Sequence, residues 1–322
     1  MPLELATPAL SFAVAWLAVA LMLRFPDALP LDRPNPRSLH AHPVPRTGGL
    51  GIMLGVLAAA LWLGPASYVA VLALAFALAI FSVIDDVKGL PVFARLLAHL
   101  AAAAAFVALY APEGFPLLGA LAGIVAVAWM TNLYNFMDGS DGLAGGMAVF
   151  GFGAYGFAAW LGGDAALAGL GLAIAAAALA FLVFNFHPAR IFMGDGGSIP
   201  LGFAAAALGL LGHWRGLWPL AFPVLVFSPF IVDASVTLAR RLARGERVWQ
   251  AHRSHYYQRL VRMGLGHRGT ALGEYALMAA CAGSALWLVW QPAWQGPLLL
   301  AWACVYVVLM GAVDLRWKRH EA

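Results

Sequence analysis

From one end to the other, the chain alternates long apolar runs with short polar connectors. Eleven such runs can be drawn, near residues 5–23, 48–64, 67–84, 92–110, 116–132, 143–161, 165–184, 199–212, 217–238, 271–290 and 296–314. Most reach the roughly 17–25 residues that a helix needs to cross a hydrocarbon core. The eighth is short, and would have to tilt little, thin the bilayer or borrow flanking residues. The pattern predicts an all-α polytopic integral membrane protein with about eleven transmembrane helices.

Composition agrees: 63% of residues are hydrophobic and only 11% charged, which makes bilayer the expected solvent. The longest polar segments, Arg24–Thr47 and Ala239–Gly269, are too short to build cores of their own. Residues 1–322 therefore read as one membrane domain. Cys281 and Cys304 lie inside apolar runs as small packing residues and offer neither a disulfide framework nor a metal quartet. The first run has no basic region before it and no small-residue cleavage site after it, so it reads as a retained helix. Alanine- and glycine-rich patches such as Ala101–Ala105 allow close helix approach in lipid. No tandem repeat and no pair of interrupted helices in inverted halves is visible, which counts against a secondary transporter.

Charge sorts by connector. With eleven spans the termini fall on opposite sides, and all but one of the 19 Lys and Arg residues then share one side. That side holds Arg24, Arg33, Arg37, Arg46, Lys88, Arg95, Arg190, the arginines from Arg240 to Arg268, and Arg316, Lys318 and Arg319. The other keeps Arg215, with Glu113 and Asp164. By the positive-inside rule the N-terminus is outside and the C-terminus cytoplasmic. The unusual polar chemistry falls in cytoplasmic connectors, at 24–47, 85–95, 132–142, 185–198 and 239–270.

Four constellations stand out there. Asp85 and Asp86 adjoin at the inner end of the third run, where two carboxylates repel and need a cation or basic neighbours; a solvated helix end beside Lys88 and Arg95 is the plain alternative. Asn132, Asn135, Asp138 and Asp141 recur every three residues, which a helical turn would gather roughly on one face. Their oxygens suit Mg²⁺ or a nucleoside, and the glycines after them admit a bulky ligand. Asp195 sits among Gly194, Gly196 and Gly197 before a helix start, a place for a phosphate or a cation, or simply a capped turn. His252, Arg253 and His255 lie in a basic loop that fits phosphate better than a transition metal, and that could equally rest on anionic lipid headgroups. Asp233, toward the inner end of the ninth run, is expected to pair with Arg240 or Arg241.

Taken in order, Asp85-Asp86, the Asn-x-x-Asn-x-x-Asp-Gly-x-Asp-Gly block from Asn132, and Phe192-Met-Gly-Asp-Gly-Gly-Ser198 resemble the polyprenyl-phosphate N-acetylhexosamine-1-phosphate transferase superfamily. The resemblance covers nearly the whole chain. It implies Asp195 as Mg²⁺ ligand with Asp138 beside it, Mn²⁺ being an alternative ion, and Asp85 and Asp86 as the acids nearest a lipid phosphate. It implies a nucleotide pocket lined by Asn135, Asp138, Asp141 and Asn185, with Phe192 stacked on uracil and Arg46 reaching the diphosphate. His252, Arg253 and His255 resemble the histidine motif of the O-antigen-initiating branch rather than that of the phospho-MurNAc-pentapeptide transferase. Tyr256 and Tyr257, where that branch often has further histidines, resemble transferases of N-acetylated 6-deoxyhexoses.

The implied reaction is transfer of N-acetylhexosamine-1-phosphate from a UDP-sugar to undecaprenyl phosphate in the bacterial inner membrane. Membrane lipid is the other implied partner, nothing points to nucleic acid, and the resemblance allows a homodimer. A lipid or sugar carrier is the competing class, but it needs polar groups near the bilayer midplane, and the apolar runs are nearly free of them.

Overall fold

The computed structural model describes residues 3–34, 39, 42–63, 68–248, 250 and 252–321. Arg37, with the residues at 35, 36, 38, 40 and 41 of the same connector, and Trp249 and Ala251 of the basic loop lie outside the described residues.

Every apolar run forms helix. In chain order these are α1 (Leu3–Met22), α2 (Gly48–Leu63), α3 (Val69–Lys88), α4 (Val92–Tyr110), α5 (Leu117–Met137), α6 (Leu143–Leu161), α7 (Ala165–Asn185) and α8 (Asp195–Trp214). They are followed by α9 (Ala221–Val226), α10 (Ser228–Ala243), α11 (Tyr256–Leu260), α12 (Gly266–Trp290) and α13 (Gln295–Glu321). Among the described residues, eight helical stretches are long and apolar enough to cross a membrane, and α1 and α2 provide shorter apolar helices. The ninth run is not one helix: it breaks at Phe227 into α9 and α10. Pro229 lacks an N–H, so it belongs in the first turn of a new helix rather than the interior of a long one.

Helix ends follow local chemistry. Pro91 and Pro116 precede α4 and α5, and Gly89 closes α3 in the left-handed region at φ 65°, where glycine carries no Cβ penalty. Asp164 caps α7, its carboxylate accepting the Leu167 N–H at 2.9 Å, a standard answer to an unpaired first-turn donor. The eighth run is longer than its apolar core implied. Its helix begins at Asp195 and spans 20 residues, so the glycine-flanked acid is the first turn of α8.

In the packing, α7 lies along α6 and α1, and α8 along α5 and α3. Of the apolar stretch of α8, 83% is buried in protein, against 6% for α13; α8 is the centre of the array and α13 its least covered edge. Close packing relies on small residues. A Cβ on Gly171 would meet the Gly156 nitrogen at 2.8 Å, so α6 and α7 touch backbone to backbone. Phe152, Tyr155, Trp218, Phe222 and Phe227 form an aromatic cluster between α6 and the α8–α9 connection.

A short two-residue ribbon, β1 (Leu31–Asp32) paired antiparallel with β2 (Val44–Pro45), anchors the connector before α2. At the opposite end of the array, Arg215 bonds Asp164 at 2.8 Å and stacks over the Tyr68 ring. Tyr68 in turn donates to Asp164 at 2.5 Å. Although burial works against ionisation, these donors hold the Asp164 carboxyl below its ordinary range. Arg215 thus ties the starts of α3 and α7 to the end of α8.

The α6–α7 crossing gives a controlled test. Gly171→Ala is expected to destabilise the protein by about 1–3 kcal/mol through overpacking. Gly153→Ala, on the same helix pair with open space beside it, is expected to be neutral or mildly stabilising. Thermal unfolding in one detergent compares the two.

Candidate active site

Six side chains from five chain segments meet at one face of the helix array. Asp85 and Asp86 occupy the last turn of α3. Asp85 is buried; its Oδ1 accepts the Leu90 N–H at 2.7 Å and its Oδ2 lies 3.4 Å from Arg95 on α4. Asp86 pairs with Arg46, just before α2, at 3.3 Å. The Arg46 Nε is buried with no hydrogen-bond partner, a donor left unsatisfied beside the carboxylates, whereas the Arg95 Nε is the atom that approaches Asp85.

Asp138 follows the last residue of α5 and accepts a hydrogen bond from the Gly194 N–H. Asp195, one residue on, starts α8 close enough to act on Asp138, with Asp85 and Asp86 also close enough to act on Asp195. Both acids are set deep among protein atoms yet keep part of their surface open. Burial, then the nearby Asp195, push the Asp138 carboxyl up to about 7. Asp32 on β1 adds to that push; the sequence reading missed it because it belongs to no motif.

Glycine makes the approach possible. Gly194 has φ 71°, and a Cβ there would collide with the Arg46 carbonyl oxygen. Gly49 and Gly197 likewise leave no room for a Cβ between α2 and α8. The Gly48 and Gly49 N–H groups donate to the Phe192 and Met193 carbonyls, both at 2.9 Å, and the Phe192 N–H donates to Pro45 at 2.7 Å. The connector before α2 is thereby laced to the one before α8.

Other residues picked out by motif make contacts within the protein. Asn135 accepts the Ser198 hydroxyl at 2.8 Å, joining α5 to α8. Asn185 is buried and spends both ends of its amide on backbone, accepting Gly142 N–H and donating to the Ile191 carbonyl, each at 2.9 Å. Asp141 accepts from His187 Nδ1 at 2.6 Å and from the Ala189 N–H at 3.1 Å. His267, at the start of α12, lies 2.9 Å from the Ser140 hydroxyl and 3.6 Å from Asp141, with its ring stacked on His187. His267 escaped the sequence reading, since a lone histidine in a basic loop carries no spacing signal. Asn185 and Asp141 therefore shape the wall beside Asp138.

Asp233 pairs with neither Arg240 nor Arg241. It accepts His255 Nδ1 at 3.1 Å and the Tyr256 and Tyr257 N–H groups, both at 3.0 Å. A buried carboxylate at a helix start satisfies first-turn donors, so His255 and Asp233 fix α11. Arg240 turns instead to Asp314 at 2.6 Å and Arg241 to Glu246 at 2.7 Å. Tyr257 donates to the Phe136 carbonyl at 3.2 Å, beside the Asp138 turn. Tyr256 points the other way, bonding Arg240 and Asp314.

His252 and Arg253 line a cavity on that other side, with none of Asp85, Asp86, Asp138 or Asp195 in its wall. Burial first, then His255 and Arg241, push the His252 imidazole down to about 4. At neutral pH it is uncharged.

The glycosyl transferase family 4 profile matches residues 68–213, the stretch from α3 to α8 that supplies Asp85, Asp86, Asp138 and Asp195. Over 301 residues the chain is 31% identical to the probable undecaprenyl-phosphate N-acetylglucosaminyl 1-phosphate transferase of Bacillus subtilis, spanning 88% of this chain and 84% of that protein. The chain belongs to this family. Its members are the polyprenyl-phosphate N-acetylhexosamine-1-phosphate transferases. The decaprenyl-phosphate N-acetylglucosaminephosphotransferase of Mycobacterium leprae is 30% identical over 89% of this chain and 84% of its own length. A phospho-N-acetylmuramoyl-pentapeptide-transferase of Geobacillus kaustophilus is 31% identical over 67% of this chain and 75% of its own.

Within this family-4 fold, Asn185→Leu removes the tie between Gly142 and Ile191 and leaves both backbone groups unpaired. A stability loss of about 2–4 kcal/mol is expected, on the order of 1–3 per orphaned group with partial relaxation. Denaturation in detergent checks it; an unchanged melting temperature would show that the amide is free for a ligand.

Proposed function

We propose that the chain transfers an N-acetylhexosamine-1-phosphate from a UDP-sugar to undecaprenyl phosphate at the cytoplasmic face of a bacterial inner membrane. UMP leaves, and the lipid-linked sugar diphosphate begins an O-antigen or related polymer. The observation that carries this reading is the meeting of Asp85, Asp86, Asp138 and Asp195 with Arg46 and Arg95 at one face of the helix array. A peptide-free donor is favoured because the relatives named for N-acetylglucosaminyl transfer align over more of the chain than those named for pentapeptide transfer. Tyr256 and Tyr257 spend their hydroxyls inside the protein, so they lend no support to a 6-deoxyhexose, and N-acetylglucosamine becomes the first donor to test.

The chemical obstacle is repulsion, since two unit negative charges ~4 Å apart cost about 4 kcal/mol at an effective dielectric near 20. Arg46, with an unsatisfied buried Nε–H, and Arg95, whose Nε is held by Asp85, supply positive charge for phosphate oxygens. The neighbouring carboxylates of Asp138 and Asp195 fit a divalent cation. No three His, Cys, Asp or Glu side chains converge to hold one alone among the described residues. That suits Mg²⁺, which binds through one or two carboxylates and completes its shell with water and substrate phosphate. Such an ion would neutralise the diphosphate and the departing UMP.

The lipid phosphate needs little activation, because a phosphate monoester loses its second proton near pH ~6. Asp85 already receives the Leu90 N–H and faces Arg95, which makes it an orienting group that sets the guanidinium. The bond that forms joins a lipid phosphate oxygen to the sugar-bearing phosphorus, and the bond that breaks frees UMP.

Purified protein with undecaprenyl phosphate and UDP-N-acetylglucosamine should release UMP. Release only with the UDP-linked muramoyl pentapeptide would favour the other branch. Asp195→Asn is expected to lower kcat by about a hundredfold or more and to raise the Mg²⁺ concentration needed for half-activity; unchanged metal dependence would count against the assignment. For Asp85→Asn the expected loss is the same at every pH. Recovery of activity at alkaline pH would instead make Asp85 a base.

A further inference from the structure

The cavity beside His252 is lined by residues of α10, α11, α13 and the basic loop. We propose that it holds the phosphate headgroup of an anionic membrane lipid that the reaction does not consume.

The cavity lies between α10, α11 and α13 and encloses about 770 Å³, within the roughly 300–1,000 Å³ of small-molecule sites. Six cationic side chains line it against three carboxylates. Two of those carboxylates are already engaged: Asp314 by Arg240 and by Arg259 at 2.9 Å, and Glu246 by Arg241 and Arg244. Among the described residues, Arg253, Arg262 and Lys318 have no carboxylate within ion-pair distance, and Glu321 reaches Arg262 only from farther away. With His252 neutral, the surplus charge is fixed positive across the neutral range. Trp317 holds the Arg259 and Arg262 guanidinium groups over its ring, at 5.8 and 4.6 Å, which orders them before any ligand arrives.

Position points to lipid as the source. The cavity opens at the end of α13, the helix least covered by protein, and Leu242 and Leu315 stand 67% and 62% exposed beside it. A headgroup can enter while its acyl chains stay against apolar side chains. α11 separates the cavity from the carboxylate site, with Tyr257 turned to the Asp138 loop and Tyr256 to the cavity. A reactant phosphate bound here would be on the wrong side of that helix.

Native mass spectrometry of the detergent-purified full chain tests this, with phosphatidylglycerol and phosphatidylcholine as probes. Wild type should bind phosphatidylglycerol at least about tenfold more tightly, at about 1 kcal/mol for each basic residue near the phosphate. Arg262→Gln with Lys318→Gln should erase the preference, and Arg262→Lys with Lys318→Arg should restore it. Lys318→Glu, on the exposed last turn of α13, repeats the test where folding is not at stake, and should also weaken the preference. Equal binding of the two lipids, or a preference that survives the Gln and Glu changes, overturns the proposal. Displacement by millimolar inorganic phosphate would assign the cavity to free phosphate. A raised KM for the UDP-sugar with lipid binding intact would return it to the substrate.

Discussion

The site depends on the end-to-end meeting of α5 and α8. Asp138 closes α5, where the helix dipole presents its negative end and disfavours a carboxylate. The Gly194 N–H donates to it at the positive end of α8, which offsets that cost. Asp195, in the first turn of α8, has a favourable dipole but lies close to Asp138. Two acids are thus held close by backbone geometry that neither could choose alone. Gly194 makes this joint, since any side chain there would strike the Arg46 carbonyl. Arg46 is drawn in by the same contact, and brings its guanidinium to Asp86.

Much of this was legible because charge is conspicuous in a chain of this composition. An acid at the end of an apolar run is costly to keep, so Asp85, Asp86, Asp138 and Asp195 announce themselves, as does their placement on one face. What the sequence hides is how each polar side chain is spent. Asn185 and Asp141 read as nucleotide ligands; in the fold Asn185 ties the Gly142 and Ile191 backbone groups, and Asp141 holds the Ala189 N–H and the His187 imidazole. Backbone donors look alike at every position, so no motif separates an asparagine that binds a ligand from one that ties two loops together.

The ninth run shows another limit. Its apolar length conceals the break at Phe227, although Pro223 and Pro229 are in plain view; hydropathy averages over the residues that interrupt a helix. Asp233 was matched to Arg240 and Arg241 by proximity along one helix. Tertiary structure overrides this, because the unpaired N–H groups at the start of α11 are a better partner set for a buried carboxylate. Arg240 is then free for Asp314, and that bond docks α13.

Holding α11 in place has an electrostatic consequence. On one side of it lie four carboxylates with two arginines; on the other, six cationic side chains with three acids. Were the two sets to meet, opposite charges would pair and neither would keep capacity for a ligand. Asp233 prevents this by anchoring His255 and the α11 amides from below, so that Tyr256 and Tyr257 face opposite ways. The carboxylate side is walled by α2, α3, α5 and α8, and α8 is the most covered span of all; burial there strengthens the charge interactions of Asp138 and Asp195. The cationic side opens along α13, the span least covered by protein. One five-residue helix thereby keeps a cluster of carboxylates apart from a cluster of cationic side chains, and the separation lets both persist at the same end of the helix array.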